Sequence, residues 1–294
     1  MAVDAVRYEL TPSRRTRRRK LVSRAMEALS TLAAAAAVAV LALVVVSVAR
    51  RGAGALDWNF FTKTAATFGQ TGGGVANALA GSLVLVAAAT AMALPVGVLV
   101  AVYVSEFAPP AVGNAVRLVL DVLNGLPSIV IGIFVFGLLV LGHGQSALAG
   151  SFALAIIMLP LIARATQEVL ALVPSSLREA ALALGAPRWR TVLGVILPTT
   201  FGGIVTGTVL AVARAAGETA PLLFTSSIAA NTVDWNPHQA LLSIPLAIFQ
   251  LSESPDPADH ARAWALALVL IAFVLLTSLT ARALLLRSRR KLER

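Results

Sequence analysis

The chain has 294 residues, of which 58% are hydrophobic and 13% charged, with no cysteine and a formal net charge of +10. A soluble domain carries about 25% charged residues, so this sequence cannot dress a water-facing surface, and it holds too much apolar area to stay disordered. A disulfide scaffold and a thiolate zinc site are excluded as well, which leaves an all-α polytopic membrane protein.

The first element is a basic cytoplasmic tail over residues 1–28. It holds Arg7, Arg14, Arg15, Arg17, Arg18, Arg19, Lys20 and Arg24 against Asp4, Glu9 and Glu27, a balance of +5. A second basic stretch closes the chain, and the residues between the two are neutral overall. Charge confined to tails beside apolar segments is the positive-inside pattern. It predicts contact with anionic membrane lipid rather than with nucleic acid. The first transmembrane helix is expected over 29–49. Its apolar run is longer than that of a cleaved signal peptide.

An external loop over 50–75 follows, with Trp58, Phe60 and Phe61 suited to an interfacial belt. The transmembrane core is expected over 76–286, before a basic cytoplasmic tail at 287–294. Within it, spans are predicted at 77–103, 118–141, 149–170, 200–224 and 263–284, each near the ~20 residues that cross the hydrocarbon. Six spans return both basic ends to the cytoplasmic side. Short inner and outer loops are expected at 105–117 and 142–148, and a long external loop at 226–262. In that long loop Asp234-Trp235-Asn236-Pro237 and Pro255-Asp256-Pro257 mark turns. His143, His238 and His260 fall in outer loops without metal-ligand spacing, so solvated imidazoles are expected.

The inner segment 171–198 reads as helix. Ser175 or Ser176 can cap it, with Glu179 in its first turn. Leu177, Ala181 and Leu184 share one apolar face. Gly185 ends this helix and Pro187 opens a second short one. Physics alone describes an amphipathic connector. The order Glu179-Ala180-Ala181, three residues, Gly185, nine residues, Val195-Ile196-Leu197-Pro198 resembles the EAA loop of ABC importer permeases, with Val195 where that family usually has isoleucine. The resemblance implies a type I ABC importer permease fold. It also implies that Glu179, Ala180, Ala181 and Gly185 dock a separate ATP-binding subunit. The chain has no Gly-x-x-x-x-Gly-Lys phosphate loop of its own. The expectation is a non-enzymatic subunit without cofactor, with ATP and magnesium bound by the partner ATPase.

Charged groups inside spans cost from about 2.5 to above 10 kcal/mol and persist when paired or beside a polar route. Arg214 and Glu218 stand i, i+4 on one face, either as a staple of the bundle or along such a route. Arg164 either snorkels or offers its planar donor fork to an oxyanion. Asp121 and Glu168 are expected to reach the inner interface. Gly217 and Pro221 weaken the fifth span near its outer end. Asn124, Gly125 and Pro127 can break the third and present Ser128.

Three stretches together resemble one permease branch of the Pst family of phosphate-specific ABC importers. They are Leu126-Pro127-Ser128-Ile129-Val130-Ile131-Gly132, then Leu159-Pro160 with Arg164-Ala165-Thr166, and Ala213-Arg214-Ala215-Ala216-Gly217-Glu218-Thr219-Ala220-Pro221-Leu222-Leu223-Phe224-Thr225. The resemblance covers roughly residues 72–286. It implies a bacterial inner-membrane permease for inorganic phosphate with both termini cytoplasmic. Its substrate pathway would pass Arg164, Arg214, Glu218, Thr219 and Ser128. Implied partners are a PstC-type permease as heterodimer mate, two copies of a PstB-type ATPase and a PstS-type phosphate-binding protein. The alternatives are the PstC-type branch itself, a permease for another oxyanion, and a secondary anion transporter.

Overall fold

The computed structural model describes residues 14–64, 73–226 and 232–292, with side chains up to 283 in the last helix. Among the described residues every regular element is a helix. The chain divides into two units, Met1–Ser47 and Val48–Arg294. The first consists of most of helix α1 (Arg14–Gly52), one continuous helix running from the arginine-rich segment through the first expected span. The parts of both basic tails at 1–13 and 293–294 lie outside the described residues.

The second unit is built on α3 (Ala76–Val102) and α6 (Ala147–Ala171). On α3, Gly81, Leu85, Ala89, Ala93, Gly97 and Ala101 recur every fourth residue, and all are buried. This is a row of small side chains along one face. In hydrocarbon no hydrophobic force pulls helices together, so small residues that let backbones approach supply the packing. The closeness is measurable: a Cβ on Gly150 would lie 2.8 Å from Leu85 Cδ2, and one on Gly97 would lie 3.0 Å from Ile162 Cγ2. Leu85 with Gly150 and Gly97 with Ile162 step in the same direction, so α3 and α6 run parallel. Gly207 meets Ala165 and Gly203 meets Val169, so α9 (Leu197–Ala215) runs antiparallel to α6. The alternation of spans expected from the sequence requires both directions.

Among the described residues five helices are long and apolar enough to cross a membrane, or six if one bent pair is a single span. That pair corrects the third expected span. In place of one helix over 118–141 there are α4 (Pro110–Gly125) and α5 (Ser128–Val135), bent by 97°. Pro127 is the cause, because a proline drives its predecessor out of helical geometry. Leu126 accordingly stands at ψ 135 and Pro127 at ψ 132. The expected inner loop at 105–117 is corrected too. α3 continues as a wide turn over Tyr103–Phe107, and α4 begins at Pro110, a position that tolerates proline's missing N–H.

Three further expectations change. The second short inner helix is not separate, because α8 (Arg188–Thr191) passes through a wide turn at Val192–Ile196 into α9 as a 28-residue span. The long outer loop contains α11 (Ile244–Ser252), whose Ile244, Pro245, Leu246 and Ala247 are buried. Ser82 Oγ accepts a bond from the Ile244 N–H at 2.7 Å, joining this helix to α3. Phe60 does not face an interface but is 1% exposed in the core. It sits in α2 (Trp58–Thr62), where Asp57 caps the helix by accepting from the Phe60 N–H at 2.7 Å. The Asp234–Pro237 turn is present, with Asp234 Oδ1 accepting from the Asn236 N–H at 2.9 Å. The last helix, α12 (Pro257–Leu292), packs beside α9 and α11.

The break beside α5 generates a stability prediction. A Cβ on Gly132 would stand 2.7 Å from Pro221 Cα, whereas nothing lies within 4 Å of one on Gly137. Gly132→Leu should destabilise the detergent-solubilised protein by about 1–3 kcal/mol through overpacking. Gly137→Ala should leave the thermal midpoint nearly unchanged, and equal midpoints for both variants would contradict this packing.

Candidate functional site

The expected site residues fall into three places. The outermost is the break between α9 and α10 (Ala220–Thr225). The α-helix ends at Ala215, so Arg214 and Glu218 are not on one helical face as expected. Their approach comes from the turn instead: Gly217 N–H donates to the Arg214 carbonyl and Glu218 N–H to the Ala215 carbonyl, each at 3.1 Å. This curl leaves Arg214 Nε 4.0 Å from Glu218 Oε1, with the Arg214 side chain 56% exposed and that of Glu218 18%. A pair this open leaves most of the guanidinium donors available to an anion.

Thr219 precedes α10, half-buried and with no side-chain capping bond. Ser128 opens α5, also half-buried. Gly132, one turn along from Ser128 on the same face, packs on Pro221, so the two breaks adjoin. Gln145 secures the corner by donating to the Phe224 carbonyl at 3.3 Å.

The second place is a cavity of about 380 Å³ between α4, α6 and α7 (Ser175–Ala183), lined by Arg117, Arg164, Gln167, Glu168 and Arg178. Arg164 is not a simple snorkelling side chain. It pairs with Asp121, and donates to the Arg117 carbonyl at 3.1 Å and to Gln167 Oε1 at 3.3 Å. The other amide atom of Gln167, Nε2, is buried without a partner. The Arg164 level on α6 matches Gly207 on α9, and Arg214 lies two turns farther out, about 10 Å along the axis. Arg164 and Arg214 therefore occupy different depths, and the structure does not gather them into one pocket.

The third place is the loop after α6. The α7 helix starts at Ser175 behind an extended Pro174, with no serine cap. Glu179 consequently falls just past the first turn rather than within it. Gly185 ends the loop helix at φ +77, where a side chain would be strained. Its N–H donates to the Leu182 carbonyl at 2.9 Å, and the Ala186 N–H donates to the Ala181 carbonyl at 3.1 Å. This crossed pair is a Schellman stop. Glu179 and Ala180 are exposed and Ala181 half-buried. Leu184, read as part of one apolar face with Leu177 and Ala181, is 89% exposed, and Trp189 is 54% exposed. This leaves an exposed apolar rim beside basic Arg188 and Arg190.

Sequence reasoning missed two partners. Asp121 meets Arg164 across 43 residues and Glu106 meets Arg178 across 72. The available signal was that Glu106 is the single acid of the segment 105–117. A charge at a membrane boundary asks for an opposite charge somewhere in the chain.

Residues 93–290 match the family described as "Binding-protein-dependent transport system inner membrane component". The chain is 42% identical over 278 residues to the "Phosphate transport system permease protein PstA" of Xylella fastidiosa (strain Temecula1), covering 93% of this chain and 96% of that one. It is 37% identical to the protein of the same name from Yersinia pestis, covering 82% of each chain. It is 36% identical to that of Pasteurella multocida (strain Pm70), covering 90% of this chain and 94% of that one. Among solved structures, an inward-facing form of the MetNI methionine ABC transporter aligns with a TM-score of 0.53 at 20% identity, covering 71% of this chain and 94% of that chain. That likeness establishes the fold. With the broken fifth span and the exposed loop helix in place, the chain belongs to the binding-protein-dependent transport inner membrane components, and within them to the PstA permease proteins.

Proposed function

We propose that this chain is a permease subunit of an ATP-driven importer of inorganic phosphate. It forms one half of the translocation pathway by alternating access. The observation that carries the reading is the open Arg214–Glu218 pair at the break between α9 and α10, in a chain related throughout to phosphate permeases. A guanidinium offers forked donors that match phosphate oxygens, and Glu218 holds it while limiting affinity in the empty site. Thr219 and Ser128, at the adjoining breaks, add hydroxyl donors on the same route. Arg164, deeper along α6, is a second station, and Asp121 plays for it the part that Glu218 plays for Arg214.

The energy comes from another polypeptide. The exposed face of α7, with Glu179, Ala180 and the Gly185 stop, supports docking of an ATPase subunit that binds ATP and magnesium. The full assembly would pair this chain with a PstC-type permease above two PstB-type ATPases, and a PstS-type binding protein would deliver phosphate. A motor can drive such a permease only by binding its inward and outward states with different affinity. The membrane is the bacterial inner membrane, with both termini cytoplasmic on the positive-inside rule.

Two substitutions test these assignments in the reconstituted complex. Arg214→Ala should cut phosphate uptake at least about tenfold, the value of one or two charge-assisted bonds, while the subunits still co-purify. Wild-type uptake would remove Arg214 from the route. Glu179→Lys should lower the ATPase recovered with the permease in pull-down, and undiminished recovery with normal uptake would defeat the docking assignment. Phosphate transport by the permeases with no ATPase present would overturn the importer reading as a whole.

A further inference from the structure

We propose that Arg178 and Glu106 form a clamp that transmits movement of the docking helix α7 to α3 and α6, so that Arg178 is a positioning residue for transport. The proposal rests on the importer reading above. Its starting point is that α7 contains no buried residue. Apolar packing therefore holds this helix only loosely, since Leu177 and Leu182 stay 42% and 49% exposed. It is also set off from the neighbouring helices, by extended Pro174 before it and by the stop at Gly185 after it.

One side chain supplies the attachment. Arg178 Nη2 donates to Glu106 Oε1 at 2.9 Å and Nε donates to Oε2 at 3.3 Å, a forked pair on one carboxylate. The same guanidinium donates through Nη1 to the Val173 carbonyl at 2.6 Å and through Nη2 to the Leu170 carbonyl at 2.9 Å. Glu106 sits in the turn that ends α3. Leu170 and Val173 carry the carbonyls at the C-terminal end of α6, where a cation also meets the negative end of the helix dipole. A single planar group thus joins the docking helix to both core helices. Its partner is well shielded, with the Glu106 side chain 10% exposed. A lysine could not reproduce the arrangement, since one ammonium cannot span a carboxylate fork and two carbonyls.

The mechanical consequence follows from the packing. α3 and α6 are joined along their length by the small-residue row, so a displacement imposed on Arg178 moves both together. Without the clamp, α7 would swing between Pro174 and Gly185 while the motor turned over, and the spans would stay behind.

Glu106 makes the clean test, because it belongs to α3 and is absent from the exposed docking face. The complete complex is reconstituted in phospholipid vesicles, with phosphate uptake and ATP hydrolysis measured on the same preparation. Glu106→Ala and Arg178→Ala should each lower phosphate moved per ATP hydrolysed by about tenfold, a typical coupling factor, with equal amounts of assembled complex. The double variant should be no worse than either single one, since both remove the same link. Arg178→Lys should fail to restore the ratio. Should Glu106→Ala not accumulate, Glu106→Gln reads the same ratio with a smaller fall. A ratio unchanged in the Glu106 variants, or uptake and hydrolysis falling in proportion, would overturn the clamp. Loss of coupling in Arg178→Ala alone would also overturn it, by placing Arg178 in the docking face itself. A wild-type complex that moves no phosphate would defeat the importer reading instead, a result read before any variant is made.

Discussion

Close approach of α3 and α6 is the constraint on which the second unit is built. In water these faces would be pressed together by the cost of hydrating them. In hydrocarbon that term vanishes between helices, and contact must come from dispersion and from backbones brought near. Gly97 on one helix, set against Ile162, and Gly150 on the other, set against Leu85, remove the side chains that would hold the backbones apart. Other helices of this unit pack on the pair. α9 reaches α6 through Gly203 and Gly207, and α11 reaches α3 through Ser82.

A rigid pair makes the breaks meaningful. An unsatisfied backbone group in hydrocarbon costs several kcal/mol, so irregular backbone is kept where protein or water surrounds it. Both internal breaks obey this. Leu126–Pro127 and the turn at 216–219 are brought together by the contact of Gly132 with Pro221. Loose carbonyls nearby find donors, as when the Phe224 carbonyl accepts from Gln145. The same two breaks hold Ser128 and the Arg214–Glu218 pair. Irregular backbone and ionisable side chains are each expensive in lipid, and their coincidence is the physical basis of the route proposed above.

At the inner side the charges follow a different logic. Arg164 with Asp121 and Arg178 with Glu106 are cross-element pairs that close over helix ends. Both lie at a different depth from the Arg214–Glu218 pair. The docking loop is accordingly apolar and exposed at Leu184 and Trp189, yet anchored behind by one guanidinium.

Local sequence determined the membrane class, the span count, the antiparallel and parallel directions, the Schellman stop at Gly185 and the breaks at Pro127 and Pro221. Each of these depends on residues within a few positions of one another, where proline, glycine and hydropathy act directly. The loop helix was legible for the same reason. Tertiary structure alone decided what those features meet. Nothing in the order of residues joins Glu106 to Arg178, or Asp121 to Arg164, because pairs 72 and 43 positions apart depend on how α3, α4 and α6 pack. The burial of Phe60 and the helix inside the long outer loop likewise follow from packing partners that no periodicity names. Hydropathy records how greasy a segment is, whereas contact depends on the shape of the surface that segment finds.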